Sequence, residues 1–234
     1  MKKLLSSLQG LLLLALPLVL VGCEDLATED NPISAYLSIN KAPVTIKVND
    51  TFNREAIAVS GAVVEYTSSD TDVATVDEDG KVTAIAVGTA TITAKTTGYS
   101  TSGKKIYQPA SASYDVTVNP KTITVYVNVD LVSWTSVNFW TWGGDGTHAP
   151  TNTVWPGDDV TTTATVGGKT WYKQTYDINS QTDVVCFVFS TGTGTPQSVD
   201  IDDVNTDKYF EISTSTDVAS KHLVNDVTST YVAE

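Results

Sequence analysis

Ile123, Val125, Val127 and Val129 alternate with Thr124, Tyr126 and Asn128. A period of two puts the two sets on opposite faces of a strand, and no helix can use it. Short alternating runs of this kind, separated by Gly, Asp and Asn, recur along the chain, and long helical periodicity is absent. The pattern predicts an all-β protein of sandwich type. Setting aside residues 1–22 of the 234 leaves 212, a length that suits two modest domains.

Those first residues have a character of their own. Lys2 and Lys3 form a charged start, and Leu11 to Val21 form an apolar run broken by Pro17. The run is shorter than the roughly 20 residues of a spanning helix but suits a signal peptide. Leu20-Val21-Gly22-Cys23 follows, with hydrophobic run, small residue and cysteine in order. This resembles the lipobox of bacterial lipoproteins. The resemblance implies a signal peptide of residues 1–22, lipid on Cys23 and attachment to a membrane through it. An ordinary secretory peptide with an incidental cysteine is the alternative. Residues 23–35 then form an acidic tether with Glu24, Asp25, Glu29 and Asp30. An acidic patch behind the lipid cysteine is similar to the export signal of Gram-negative lipoproteins displayed on the outer face. It implies an outer-membrane, cell-surface location, although acids also suit a plain solvated tether.

Removing residues 1–22 takes away Lys2 and Lys3 and no acid, so a formal charge of −13 becomes −15. Such a chain does not bind nucleic acid through phosphate contacts, and it suits an uncharged ligand. Cys186 has no partner besides Cys23, so there is no disulfide framework. It sits in the apolar run Val184–Phe189, where a small buried residue is expected.

Residues 36–118 read as the first domain. Strands are expected at Val44–Val48, Ala62–Tyr66, Val82–Val87, Ala90–Ala94 and Tyr114–Val118. Val73, Val76, Val82, Ile85 and Ile92 are spaced for the inner faces of two sheets. Ser68-Ser69-Asp70, Val73 to Asp77, Asp79 to Thr83 and Gly88 to Ala94 together resemble the bacterial immunoglobulin-like group 2 domain. That resemblance implies adhesion, spacing or glycan-associated display, and no chemistry. Asp77-x-Asp79-Gly80 is similar to the opening of a calcium loop, but the later ligands are missing and a turn is expected. Thr97 to Ala112 reads as a longer hairpin loop carrying Tyr99 and Tyr107. Asn119-Pro120-Lys121 is a short, stiff boundary, because proline cannot continue a hydrogen-bonded strand.

Residues 122–213 read as the second domain. Trp134 to Gly157 holds four of the five tryptophans. Val137, Phe139 and Thr141 fall on one strand face, and Asn138, Trp140 and Trp142 on the other. With the first set in the core, Trp140 and Trp142 face outward about 7 Å apart. A Gly/Asp/Pro-rich loop then ends at Trp155-Pro156-Gly157. Exposed flat rings in a cluster mark a ligand surface. Trp134 and Trp171 read as packing residues. Trp155 either pins its loop or joins the shelf.

Ile123–Val129, Trp134-x-x-Val137-x-Phe139-x-x-Trp142, Trp155-Pro156-Gly157, the Trp171–Ile178 run, Val185-x-Phe187-x-Phe189 and Gln197–Ile201 occur in that order. The set resembles the family-26 starch-binding modules. The long loop from Gly143 to Val154 and the indole at Trp140 depart from the usual pattern. The resemblance implies an α-linked glucan as ligand, with Trp140, Trp142 and Trp155 stacking on sugar rings and Asn138 and Gln197 meeting hydroxyls. His148 and Lys169 are weaker candidates.

No nucleophile motif is present, and His148 and His222 stand outside any constellation. Asp200, Asp202 and Asp203 read as turn and strand-end residues rather than a catalytic pair. No cofactor, metal or enzymatic activity is expected. The chain reads as a non-catalytic surface lipoprotein that binds starch or a related α-glucan, with neighbouring polysaccharide-utilisation proteins as possible partners. The rival reading is a surface adhesin contacting protein or another glycan. Residues 214–234 are a C-terminal extension that either adds an edge strand or stays loose.

Overall fold

The computed structural model describes residues 32–34, 36–59, 61–143 and 152–232. The signal segment, Cys23, most of the tether and His148 lie outside them. Among the described residues the regular structure is almost entirely strand, with one short helix at Thr228–Tyr231.

In the first sandwich, strand Ser111–Asn119 is central. It pairs antiparallel with Gly88–Ser100 and parallel with Val44–Lys47. Ala62–Ser68 completes the four-stranded sheet on the far side of Gly88–Ser100. Thr51–Asn53, Lys81–Ala84 and Ala74–Val76 form a three-stranded sheet. Valine, isoleucine and alanine fill the core: Val48, Val82, Ile92, Val116 and Val118, with Ala74, Ala84, Ala90 and Ala94. The turn at Asp77 is built by its own carboxylate, whose Oδ1 accepts from the backbone N–H groups of Asp79 (3.1 Å) and Lys81 (2.8 Å). This side chain works as a turn residue.

Two expectations for this half change. The segment Thr97 to Ala112, expected as a longer hairpin loop, carries strand at both ends. Strand Gly88–Ser100 runs into it as far as Ser100, and the chain returns by Tyr107–Gln108 and Ser111–Asn119. Tyr107 is buried with Ile106 against Ile33 and Val59, while Tyr99 is exposed. The short strand Ile33–Ser34 pairs with Tyr107–Gln108, so ordered structure begins ahead of residue 36. Ile85 is the second change. Its strand ends at Ala84, and Ile85 to Val87 turn outward to meet the second sandwich.

The second sandwich has a five-stranded sheet in the order Thr163–Val166, Lys169–Ile178, Lys121–Asn128, Lys208–Thr216, His222–Asp226. The facing sheet runs Asp158–Asp159, Asn138–Gly143, Val185–Ser190, Ile201–Val204. Ile123, Val125, Val127, Ile178, Phe210 and Ile212 pack against Val137, Phe139, Val185, Phe187 and Phe189. Aromatic edges lock this core: Phe139 lies 4.8 Å from Phe189 and Tyr176 5.2 Å from Phe187, ring centre to ring centre. Every residue of Val185–Ser190 is buried, as an unbroken apolar run requires of a central strand. The expected boundary after residue 213 cuts through strand Lys208–Thr216. His222–Asp226 is the edge strand, and Tyr231 on the helix packs on Trp171 at 4.8 Å. The Ser/Thr-rich run from Ser213 to Thr216 has no apolar alternation to announce a strand.

Only Pro120 separates strand Ser111–Asn119 from Lys121–Asn128. A second tie lies beside it. The Val87 N–H donates to Asn179 O (2.8 Å), the Gln181 N–H to Ile85 O (2.8 Å), and Gln181 Nε2 to Ala84 O (3.1 Å). The turn that makes these bonds is pinned by the buried Asp183, whose carboxylate accepts from the Asn179 and Ser180 N–H groups and the Ser180 hydroxyl. Ile85 leaves its strand to make this junction.

Candidate functional site

Strand Asn138–Gly143 carries the site. Its register opposite Val185–Ser190 sets Phe139 against Phe189 and Thr141 against Phe187, on the core side. Trp140 opposite Val188 and Trp142 opposite Cys186 therefore lie on the outer face. Both indoles are half-buried. Trp155 comes up from the following loop and is 42% exposed. Its ring centre is 5.5 Å from that of Trp140, with the planes tilted by 59°. The two indoles form an angled shelf.

The sequence reaches this geometry through tight backbone contacts. Gly157 has φ +88°, and a Cβ there would sit 2.2 Å from Phe139 O. Only glycine lets the loop lie this close to the tryptophan strand. At the other end, Asn152 Oδ1 accepts from the Thr141 N–H (2.8 Å) and hydroxyl (3.0 Å), and its Nδ2 donates to Asp158 Oδ1 (3.1 Å). Residues 152–157 are thus stitched to the strand at both ends. Gly194 closes the shelf from the side. A Cβ on it would lie 2.0 Å from Trp155 Nε1, so the indole edge occupies the space a side chain would take. The Gly194 loop is tied by Thr191 and Thr193, whose hydroxyls both donate to Thr195 O (2.7 and 2.8 Å).

The other expected contact residues are placed differently. Asn138 is buried, and its Nδ2 donates to Gly157 O at 3.3 Å. It braces the loop from beneath instead of facing solvent, because Gly157 and strand Asp158–Asp159 cover it. Gln197 is half-buried at the foot of the Gly194 loop, bridged to Ser190, and its carbonyl accepts from the His222 N–H (2.9 Å). Lys169 is ion-paired with Glu211, and that hydrogen bond raises its pKa. Trp134 and Trp171 are buried, and Trp171 Nε1 donates to Val166 O at 3.1 Å. Cys186 is buried, and burial pushes its thiol up, away from thiolate chemistry. Asn152 and Gly194 are supports that residue type alone did not mark.

The shelf can stack on a flat apolar face, and hydroxyl-bearing threonines flank it. Among the described residues no cluster of His, Cys, Asp or Glu could hold a metal ion. Among them, too, no helix is long and apolar enough to cross a membrane.

Residues 44–106 match the model of the bacterial Ig-like domain (group 2). An uncharacterised protein of Clostridium acetobutylicum is 35% identical over 101 residues, which cover 41% of this chain and 10% of that protein. The chain thus spans about a tenth of that relative's length. Among solved structures, a Bacteroides ovatus protein described as an adhesin is 8% identical, with 88% of this chain and 96% of that one covered and a TM-score of 0.33. The surface layer protein SbsC, domains 4–9, is 16% identical, with 76% and 32% covered and a TM-score of 0.29. A mixed-linkage glucan utilisation protein of Bacteroides ovatus, solved with a mixed-linkage heptasaccharide, is 13% identical, with 73% and 47% covered and a TM-score of 0.24. At these scores the structural likenesses carry no argument about this chain.

Proposed function

We propose that the second sandwich captures starch or a related α-glucan on the Trp140–Trp155 shelf, and that the protein is a non-catalytic cell-surface lipoprotein. The pairing of the exposed Trp155 with Trp140, ring planes tilted by 59°, is the observation that carries this reading. A pyranose shows a patch of C–H bonds and a rim of hydroxyls. An indole covers the patch, and side chains of the neighbouring loops take the rim. Two tilted rings suit a glucan chain that curves. An acidic protein meets no electrostatic barrier with an uncharged polymer. Asn138 supports the shelf from below, and Trp142 extends the same face of the strand.

Residues 36–118 act as a spacer in this reading, and the bond pattern at Ala84–Val87 and Asn179–Asp183 holds the shelf at a fixed angle to it. Lipid on Cys23 anchors the chain to the outer membrane, where neighbouring polysaccharide-utilisation proteins use what it holds. Single-site binding is expected between about micromolar and millimolar. Repeated sites on a polymer raise the apparent affinity through effective concentration.

Electrophoresis through gels cast with amylopectin tests this. The wild type should be retarded, and Trp155→Ala and Trp140→Ala should each migrate as in a plain gel. Wild-type migration unaffected by amylopectin rejects glucan capture. It favours instead the adhesive reading, which the Ig-like match of residues 44–106 supports.

A further inference from the structure

At one end of the second sandwich the chain crosses from strand Lys121–Asn128 to strand Asn138–Gly143. A recess of about 290 Å³ opens there, lined by Val129, Asp130, Ser133, Trp134, Thr170 and Tyr172. We propose that this recess is a second carbohydrate site, separate from the tryptophan shelf, that takes a single neutral pyranose unit.

The recess has the parts such a site needs. The buried Trp134 and half-buried Tyr172 line it, and both pack on the core, so their rings are held. Trp134 is further fixed by the edge of His222, 5.6 Å away. Asp130 supplies a carboxylate whose position is built. The buried Asn128 donates through Nδ2 to Asp130 Oδ2 (2.9 Å) and to Thr170 O (2.9 Å), while its Oδ1 accepts from the Asp130 N–H (3.2 Å). One amide therefore sets both walls of the recess at once. Ser133 has φ +54°, and its N–H closes the turn onto Val129 O at 2.9 Å. Ser133 and Thr170 are both exposed and line the recess.

The chemistry selects among ligands. The volume falls at the small end of ligand pockets, which run from roughly 300 to 1,000 Å³, so one ring fits and a folded chain does not. Sugar hydroxyls both donate and accept. They match a carboxylate acceptor and two hydroxyls that do either. A quaternary ammonium group offers neither donor nor acceptor and leaves the Ser133 and Thr170 hydroxyls unmatched. Trp140 lies six positions after Trp134, so their Cα atoms are at most about 20 Å apart. One oligosaccharide can reach both sites. The inference shares a ligand class with the shelf but does not depend on it.

The test follows the five indole N–H signals of the full chain by ¹⁵N–¹H correlation spectra during titration. The probes are maltotriose, cellotriose and choline. The Trp134 signal should move with a sugar in the wild type and equally in Trp155→Ala. Asp130→Asn should weaken that response about tenfold while leaving the rest of the spectrum in place. A Trp134 signal that moves while Trp155 stays still upholds this site and removes the shelf. A Trp155 signal that moves while Trp134 stays still does the reverse. Three other outcomes also overturn the inference: a Trp134 response that vanishes in Trp155→Ala, one that is unchanged in Asp130→Asn, or one produced by choline alone.

Discussion

The two sandwiches are built from the same kind of strand and filled in opposite ways. The first packs valine, isoleucine and alanine around one aromatic pair, Phe52 on the buried Tyr114, with the Arg54 guanidinium 4.3 Å above the tyrosine ring. The second packs phenylalanine on phenylalanine and also carries a tilted indole pair outside. Glycine is used differently too. Gly80 closes a turn, with a Cβ position 2.8 Å from Arg54 O. Gly157 and Gly194 instead make room for a loop and a ring at the surface. Close backbone approach thus finishes the fold in one half and presents a side chain in the other. A small-residue core suffices for a spacer, whereas holding an apolar ring against water demands a rigid support.

Substitutions in each half put that contrast to the test. The largest effect is expected from Phe139→Ala, about 3–5 kcal/mol of lost stability, because the ring is fully buried among other rings. Ile92→Val in the first core should cost only about 0.5–1.5 kcal/mol. Urea unfolding of both variants checks this, and equal shifts in midpoint would erase the contrast between the cores. Gly80→Ala and Gly194→Ala come next, each forcing an alanine to φ near +80° at about 1–3 kcal/mol. They should part in function: Gly194→Ala loses retention in amylopectin gels because Trp155 is displaced, and Gly80→Ala keeps it. Arg54→Met should follow at about 1–2 kcal/mol, since it removes the ring contact and the Nη1 bonds to Asn40 O (3.0 Å) and Ala42 O (2.7 Å).

The smallest effect concerns alkaline pH. Tyr209 stacks on Tyr126 at 4.2 Å, and burial, with a hydrogen bond to Tyr126, pushes its hydroxyl up to about 12. A raised pKa on an acid favours the protonated form in the folded state. The folded chain then holds more protons than the unfolded one between pH 10 and about 12, so stability falls across that window. Urea midpoints at pH 9 and pH 11 should show the fall, and Tyr209→Phe should reduce it.

Much of the fold is legible along the chain, and the reason is local. Val125 and Val127 face inward because neighbours on a strand alternate, whatever the partner strand is. The same rule puts Trp140 outward once Phe139 is inside. Asp77 makes its turn with atoms within four residues of itself. Asn138 shows where the rule stops. It points outward by register, yet a loop arriving from residue 157 covers it. Ile85 is spaced for the core but leaves its strand for a turn almost a hundred residues away.

Alternation in this sequence therefore set the strand content and the outward face of the tryptophan strand, and an unbroken apolar run set the burial of Val185–Phe189. Tertiary structure alone decided that Trp155 stands beside Trp140, that Asn138 is a brace, and that Asn128 fixes Asp130 and Thr170 at the end of the sandwich. Alternation is a property of consecutive residues and can be read from them. Which loop lies on which strand depends on chain closure across dozens of residues and on the absent Cβ atoms of Gly157 and Gly194, which acquire meaning only when the two surfaces meet.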